Sequence, residues 1–345
     1  MKTLAQRMLT LIAGIAMVAA ASGATAGESQ VIKYTFADPN DPVKTATAAQ
    51  VLLFKNEVET LSGGQIKVEV YPHGQLGDQR SMVQQVRRGT IGVANIAVGV
   101  LGSLYYPKLG VIDLPFLYKS RAQFRRVMEN SNPFIHDLIE DLAKASGVRV
   151  LAFQPYGFRQ LTNNKRPIEK PADMAGLKIR TMEIVPHQEM MKALGAIPVP
   201  IPYLELYTSL QTGVVEGEEN TASNIIQQKF YQVQKYMTVS NHLMTVGALI
   251  INDKWFQSLS PELRKAGVDA EREARLAHDG IGAVQDLLSI GEIEKFGTQV
   301  ARPSPQQMDA FRKATVGPVR AWAEQQWGKD FVAAFYKNLA DTDRY

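Results

Sequence analysis

Two arginines and an asparagine stand where predicted β-strands end. Arg159 lies in GFRQLTN, Arg180 ends GLKIR and Asn220 ends VVEGEEN. In open α/β sheets, ligands bind outside the carboxyl ends of the strands. A guanidinium offers a planar fork of donors that matches a carboxylate, and an asparagine amide both donates and accepts hydrogen bonds. The three residues therefore predict a cleft that holds an organic anion without reacting with it.

Each of the three residues also has a simpler explanation. Arg180 shares its strand face with Lys178, so it can be a solvated surface charge. Arg159 precedes the basic segment NNKRP, which is typical of a surface loop, and Asn220 can be the N-cap of the following helix. The GEE segment before Asn220 can be an exposed turn, although a carboxylate there could also pair with an arginine.

The first part of the chain alternates strands and helices. The segments 31–36 and 66–71 show period-two alternation, and 91–98 is apolar with small residues, so all three are predicted strands. Apolar residues at helical spacing predict helices over 43–61 and 78–88. This β-α-β-α-β order predicts a parallel sheet with helices on both faces, which makes the chain an α/β protein.

The rest of the chain again alternates predicted strands and helices, and its last part is predicted to be helical. Further strands are predicted at 148–156, 157–163, 214–220 and 245–252, and helices at 120–130, 133–145, 185–194, 203–212, 221–235, 260–296 and 305–339. The pattern indicates two α/β portions followed by long helices. The length of 345 residues also favours two domains.

Motifs of catalysis, metal binding and cofactor binding are missing from the sequence. There is no Gly-x-Ser-x-Gly, no His-Glu-x-x-His and no P-loop, and GIGAVQ lacks the third glycine of a dinucleotide loop. The five histidines are scattered and there is no cysteine, so no metal site and no cofactor are expected. We predict no catalytic residue, with an exported enzyme kept as a rival because a site can be assembled from distant residues.

The first 26 residues have the features of an export signal. Lys2 and Arg7 precede an uncharged, largely apolar run over 8–21, and Ala24-Thr25-Ala26 is a small-x-small cleavage pattern. The run is too short to span a bilayer comfortably, which takes about 20 residues. Without cysteine there is no lipid attachment point. We therefore expect a protein of the periplasm, cleaved near Ala26.

Charge gives no sign of a nucleic-acid partner. The chain has 38 Lys and Arg against 34 Asp and Glu, a net charge of +4. Nucleic-acid binding requires the basic residues to cluster, whereas here they occur singly or in short pairs. We expect a small-molecule ligand instead.

Five segments resemble the substrate-binding subunits of TRAP transporters, the tripartite ATP-independent periplasmic systems of the DctP family. They occur in the family's order and spacing over nearly the whole predicted mature chain. The segments are VEVYPHGQLGDQR, DLPFLY, RQLTNNKRPIEKPADMAGLKIR, VPIPYLELYTSLQTGVVEGEEN and KFYQVQKYMTVSNH.

The resemblance implies roles for five residues of the second half of the site. Arg180 matches the family arginine that forms a salt bridge with the substrate carboxylate. Arg159 would support the same carboxylate or a second polar group, and Asn220 would lie near it. Tyr203 would form a wall of the cleft. Glu183, three residues after the motif arginine, would contact the rest of the ligand.

From the first half of the site, the resemblance implies three further ligand-facing residues. These are Asp38, in the loop after the first strand, Gln79 of the GDQR motif and Asn95 at the end of IGVAN. Sialic-acid receptors carry an acidic and a basic residue just after that last strand, where this chain has IAVGV. The departure argues against sialic acid and for a smaller, hydroxylated acid.

The family fold has two α/β lobes joined by hinge strands, with a long C-terminal helix across both. If this chain is divided in the same way, lobe one spans 27–155 plus 243–285 and lobe two spans 156–242 plus 286–345. The resemblance implies a monomer that delivers its ligand to a small and a large integral membrane subunit.

Glu183 and Glu219, if they line the cleft, favour a sugar acid or other hydroxy acid over the alternative, a C4-dicarboxylate.

Overall fold

The computed structural model describes residues 29–342, and the predicted export signal lies outside them. The strands are β1 Gln30–Thr35, β2 Ile66–Tyr71, β3 Val93–Ala97, β4 Val148–Asn163, β5 Lys178–Thr181, β6 Ile197–Pro200, β7 Gly217–Thr221, β8 Tyr236–Thr238, β9 Met244–Asn252 and β10 Gln299–Ala301. The helices are α1 Ala46–Leu61, α2 Gln79–Arg88, α3 Val98–Tyr105, α4 Arg121–Val127, α5 Pro133–Ser146, α6 Val185–Ala193, α7 Leu206–Gln211, α8 Ala222–Gln227, α9 Asp253–Ser258, α10 Pro261–Lys295, α11 Pro305–Trp327 and α12 Lys329–Thr342. Short 3₁₀ turns, such as Pro107–Asp113, complete the described chain.

The strands form a mixed sheet in the order β2-β1-β3-β9-β4-β7-β5-β6, with β8 pairing with β4 and with β10. The predicted parallel arrangement holds for β1 with β2 and with β3, and again for β5 with β6 and with β7. The centre of the sheet, for which the sequence predicted no strand direction, is antiparallel, because β9 runs opposite to both β3 and β4. Every residue of β9 is buried, which explains why its sequence TVGALII is mostly apolar and has no charged residue.

Strand β4 joins the two halves of the sheet. Its first part pairs with β9, and its last residues pair with β7 and β8. The two strands predicted at 148–156 and 157–163 are therefore one strand. The pairing register slips between Pro155 and Gly157, because proline cannot donate to the ladder and Gly157 takes a φ of +136°.

The helix ends follow local signals that the sequence shows. Asp78 caps α2 by accepting from the Ser81 amide, and Gly89 ends that helix in the left-handed conformation at φ +75°. Ser260 caps the 35-residue helix α10 ahead of Pro261. Helix α10 packs against α1, α8 and β4, so it contacts elements from both halves of the sheet.

The predicted secondary structure differs from the observed elements in several places. The helix predicted at 221–235 ends at Gln227, where Lys229 adopts a φ of +58° before a 3₁₀ turn. The strands β6, β8 and β10 were not predicted, since each has only three or four residues and little alternation. The last helix is divided at Gly328 into α11 and α12.

Candidate functional site

Adjacent strands bring the predicted anion-binding residues together. In the parallel pair β5–β7, Arg180 lies opposite Glu218, and in the antiparallel pair β4–β7, Arg159 lies opposite Thr221. Asn220 lies between these two partners on β7, next to Thr221 and two residues after Glu218. The arrangement follows from the strand order, in which β7 is the shared neighbour of β4 and β5, and from the register of the two pairs.

Seven of the eight predicted site residues line one cavity. Its walls also include residues of β3, of the loop after β1 and of the bend in β4, so both halves of the sheet contribute. The lining consists of Ala37, Asp38, Gln79, Asn95, Ile96, Ala97, Tyr156, Arg159, Arg180, Met182, Tyr203, Asn220, Asn224 and Thr245. The eighth predicted residue, Glu183, lines a small second cavity that shares Gln79, Arg180 and Tyr203 with the first.

Arg180 is a buried guanidinium with an unused donor. Its side chain is 1% exposed, and its Nε donates to the Ile201 carbonyl at 2.9 Å. Within residues 29–342, Nη1 is buried without a hydrogen-bond partner. Burial and the neighbouring Arg159 lower the pKa of Arg180 to about 10, which still leaves it charged at neutral pH. The cavity therefore presents an unsatisfied positive group to its contents.

Arg159 is also buried, but its guanidinium is already paired. Nε and Nη2 both bind the Glu219 carboxylate, and Nη2 also donates to the Glu219 carbonyl. Nη1 donates to Thr245 Oγ1 at 2.9 Å and to Asn220 Oδ1 at 3.4 Å. The two arginines thus differ in kind, because only Arg159 has a carboxylate as a bidentate partner.

Glu219 lies behind Arg159 instead of lining the cleft. It is fully buried and is contacted by His187 Nδ1 at 3.2 Å and by His242 Nε2 at 3.4 Å. Burial opposes its charge, but Arg159 and His187 outweigh that effect and hold the pKa of Glu219 well below its usual value. Glu219 is absent from the lining of both cavities, so it gives no support to the choice of ligand. Of the two alternatives for GEE, the exposed turn is wrong, because Gly217–Thr221 is a buried strand, and the carboxylate that pairs with an arginine is present.

Glu218, on the other face of β7, is also buried, but it has fewer hydrogen-bond partners than Glu219. Its Oε1 accepts from Thr162 Oγ1 at 3.2 Å, and Oε2 has no hydrogen-bond partner in the part of the chain that the structure describes. Burial raises the pKa of Glu218 to about 7, although Arg159 and Arg180 oppose the rise. At neutral pH this carboxyl is only partly ionised, so it compensates the charge of Arg180 incompletely.

Protonation of Glu218 makes stability depend on pH. Because its pKa is raised in the folded state, its contribution is present below the usual value of 4.5 and is lost as pH rises through about 7. We expect the free energy of unfolding, measured with urea from pH 5 to 8, to contain a fall on the order of 2 kcal/mol that Glu218→Gln removes. Glu216→Gln, which alters a more exposed carboxylate on the preceding loop, should keep the fall.

Amide side chains form much of the polar wall. Asn220 Oδ1 accepts from the Thr221 amide at 2.9 Å and from Asn224 Nδ2 at 3.1 Å, which fixes the orientation of its amide group. It is not the helix cap, since Thr221 caps α8. Asn95 is held from three sides: Nδ2 donates to Tyr34 and Gln50, and Oδ1 accepts from Gln154. Such fixed amides can select hydroxyl groups by geometry.

Tyr203, Asp38 and Gln79 complete the predicted residues. The Tyr203 hydroxyl is buried with no hydrogen-bond partner among residues 29–342, and its ring meets Phe230 edge-on at 6.3 Å. Burial raises the pKa of Asp38, against the effect of a hydrogen bond from Thr47. Gln79 Oε1 accepts from the Ala97 amide at 2.7 Å. The cavity thus offers both donors and acceptors.

Comparison with known proteins identifies the family. The DctP family model, described as bacterial extracellular solute-binding protein, family 7, matches residues 36–326. The chain belongs to this family. Proteins of the family are the extracytoplasmic solute-binding subunits of TRAP transporters, which bind an organic acid and work with membrane subunits.

Individual relatives of this solute-binding protein agree in fold and length. The sugar acid binding protein DctPAm of Advenella mimigardefordensis, in complex with galactonate, superposes at TM-score 0.85 with 27% identity, covering 91% of this chain and 99% of that chain. A TRAP solute-binding protein from Polaromonas sp. JS666, bound to D-erythronate, gives 0.82 and 32% identity, covering 89% and 98%. The C4-dicarboxylate-binding periplasmic protein DctP of Rhodobacter capsulatus is 29% identical over 96% of this chain and 98% of its own. These likenesses confirm the expected α/β fold of the family.

At the edge of the cavity, the solute-binding protein has an ion pair that the sequence did not suggest. Arg80 Nη1 lies 3.6 Å from Glu183 Oε1. Arg80 is on α2 and Glu183 follows β5, so the pair links elements from the two halves of the sheet. Burial raises the pKa of Glu183, and Arg80 opposes that rise. Glu183 is thus a cavity residue whose charge already has a partner.

Tyr156, Thr245 and Asn224 line the cavity and were missed by sequence reasoning. A signal for Tyr156 existed: Gly247 interrupts the apolar run of β9, and an isolated glycine in a strand often marks a close approach. A Cβ atom on Gly247 would collide with the Tyr156 ring. Thr245 and Asn224 had no comparable signal.

In the described part of the chain, no group of three or more His, Cys, Asp or Glu is placed to hold a metal ion. None of the helices there is both long and apolar enough for a membrane span.

Proposed function

We propose that this protein captures a small hydroxy or sugar acid in the periplasm and delivers it to the membrane subunits of a TRAP transporter. The observation that carries the proposal is the unpaired Nη1 of buried Arg180, which opens on a cavity lined by both halves of the sheet. A buried cation with an unmet donor favours a carboxylate ligand, since charge-assisted bonds are the strong ones.

The charge balance of the lining favours a monocarboxylate over the alternative C4-dicarboxylate. Within the described lining, Arg180 and Arg159 are the cations, and Arg159 is occupied by Glu219. Asp38 on the opposite wall would repel a second carboxylate but can accept from hydroxyl groups. Relatives bound to galactonate and to D-erythronate support the same cargo class.

We infer that the lobes close over the ligand by a hinge motion. The proposed division places 27–155 plus 243–285 in lobe one and 156–242 plus 286–345 in lobe two. It is supported by the register slip of β4 between Pro155 and Gly157 and by the start of β9 at Met244. The pair Arg80–Glu183 would then form only when the lobes approach each other.

A panel of organic acids tests the function. We expect galactonate or D-erythronate to raise the thermal midpoint by mass action and to bind in calorimetry at least about tenfold more tightly than succinate. Small-angle scattering should show a smaller radius of gyration with the bound acid. Tighter binding of succinate would overturn the cargo class, and absence of binding by every acid would overturn the receptor function.

Three further proposals concern cleavage of the export signal, the oligomeric state and the fate of the bound acid. We propose export to the periplasm with cleavage near Ala26, a monomer in solution, and release of the bound acid unchanged. Intact mass of the exported protein and light scattering test the first two. Product analysis after prolonged incubation tests the third, because conversion of the acid would favour the rival, an exported enzyme.

A further inference from the structure

A line of buried charges leads away from the cavity, behind Arg159. His187, on the first turn of α6, is fully buried. Its Nδ1 lies 3.2 Å from Glu219 Oε1, and its Nε2 lies 3.9 Å from Asp113 Oδ1. His187 does not line the cavity, so any influence on the ligand passes through Glu219 and Arg159.

Asp113 is a buried carboxylate beside His187, and its surroundings indicate the charge of that histidine. It is 1% exposed, and neither carboxylate oxygen has a hydrogen-bond partner in the described chain. Gly99 packs directly against it, where a Cβ atom would collide with Oδ2. A buried carboxylate without donors is costly unless a cation is close. The cation that the structure places beside Asp113 is His187, if that imidazole carries both protons.

The charge count shows why the ligand would respond. Asp113 and Glu219 are two negative charges, whereas Arg159 supplies one positive charge. With a neutral His187, the cluster behind the cavity has a net charge of −1 and opposes a bound carboxylate. With an imidazolium the cluster is neutral, and the charge of Arg180 remains available to the ligand.

We propose that His187 is a positively charged positioning residue, which joins Asp113 to the Glu219–Arg159 pair and sets the affinity for the acid without touching it. The proposal rests on the proposed receptor function. Asp113 falls in the proposed lobe one and His187 in lobe two, so the link also crosses between the lobes.

The surroundings of the His187 imidazole shift its pKa in opposite directions. Burial opposes the imidazolium, but the carboxylates of Glu219 and Asp113 outweigh it and raise the pKa of His187. Burial lowers the pKa of His242, which therefore remains a neutral partner of Glu219. The titratable and charged groups of the cluster and around it are Glu219 and Glu218 from β7, Asp113 from the 3₁₀ turn, His242 from the segment before β9, Arg159 from β4, Arg180 from β5 and Tyr118 beside Asp113.

The sign of the pH dependence follows from this raised pKa. The contribution of His187 is complete below the usual imidazole value of 6.5 and is lost as pH rises through the folded-state value. Affinity for the acid should therefore weaken on the alkaline side, in the direction opposite to the titration of a ligand carboxylate.

Two measurements on the full mature chain test the proposal. Nitrogen NMR of the histidine side chains at pH 7, with His187→Gln to assign the signal, should show both His187 nitrogens protonated. Calorimetry with galactonate and D-erythronate should show a roughly 5- to 150-fold loss of affinity in His187→Gln. The double variant Asp113→Asn, His187→Gln should recover part of that loss, because it removes the unbalanced negative charge. His136→Gln, at an exposed site, is the matched control.

A neutral His187 at pH 7 overturns the proposal, as does an unchanged affinity in His187→Gln. If the double variant binds the acid no better than His187→Gln does, His187 acts only through packing, and the proposal is overturned as well. If no acid binds the wild type, the receptor function fails, and the NMR measurement still decides the charge of His187.

Discussion

Arg180→Ala is expected to weaken binding of galactonate or D-erythronate by about 3–5 kcal/mol, the cost of removing one partner of a desolvated ion pair. That corresponds to roughly a 10²- to 10⁴-fold increase in Kd, measured by calorimetry. The reason is that Arg180 is the buried cation of the lining whose donor is unused. Arg180→Lys should lose much of the affinity as well, since a point charge cannot replace the two-pronged fork.

The unliganded Arg180→Ala protein should keep its thermal midpoint to within a few degrees. In the part of the chain that the structure describes, the Arg180 side chain makes one hydrogen bond, to the Ile201 carbonyl, and its removal also removes a buried donor that has no partner. The control is Arg302→Ala, because that guanidinium forms a surface pair with Glu294 and is 53% exposed. It should change affinity and stability by less than about 1 kcal/mol. An Arg180→Ala protein that binds as tightly as the wild type would refute the carboxylate clamp.

Arg159→Met is expected to lower the free energy of unfolding by about 3–5 kcal/mol, in contrast to Arg180→Ala. The substitution leaves Glu219 buried without its bidentate partner. Denaturant titration of the unliganded protein at pH 7 measures the effect. The double variant Arg159→Met, Glu219→Gln should be more stable than Arg159→Met alone, since it removes the orphaned charge, and the double-mutant cycle gives the coupling. Equal stability of Arg159→Met and the wild type would contradict the assignment.

Acid titration gives an independent check of the same pair. The pKa of Glu219 is lowered in the folded state, so its contribution is present above the usual value of 4.5 and is lost as pH falls through the folded-state value. The wild type should lose this contribution on acidification. In Arg159→Met the loss of unfolding free energy on acidification should be smaller, because the main partner that lowers the pKa of Glu219 is gone.

Local sequence patterns predicted much of the framework. Period-two alternation located β1 and β2, and the apolar run TVGALII located β9. Apolar residues at helical spacing located α2 and α10, predicted over 78–88 and 260–296. Such signals are readable because they depend on neighbouring residues. The strands β6, β8 and β10 escaped because three or four residues do not establish a period.

The candidate site was predictable as a set of residues but not as a set of interactions. Motif positions and strand ends gathered seven residues that line one cavity. The position of Glu219 stayed open because two adjacent glutamates on a strand point to opposite faces, and sequence does not show which face holds Arg159.

The sequence alone determined the order of the longer helices and strands, seven residues of the cavity wall and two arginines at strand ends. Tertiary structure alone decided which arginine is free. Arg159 meets Glu219, 60 residues away, because β4 and β7 pair in one register, and His187 and His242 close around that carboxylate from separate elements. Among residues 29–342, Arg180 has no such partner, and its Nη1 donor remains unused at the cavity. The difference lies in long-range pairing within a buried, water-poor interior, where the presence or absence of one counter-charge determines whether a group stabilises the fold or binds a ligand.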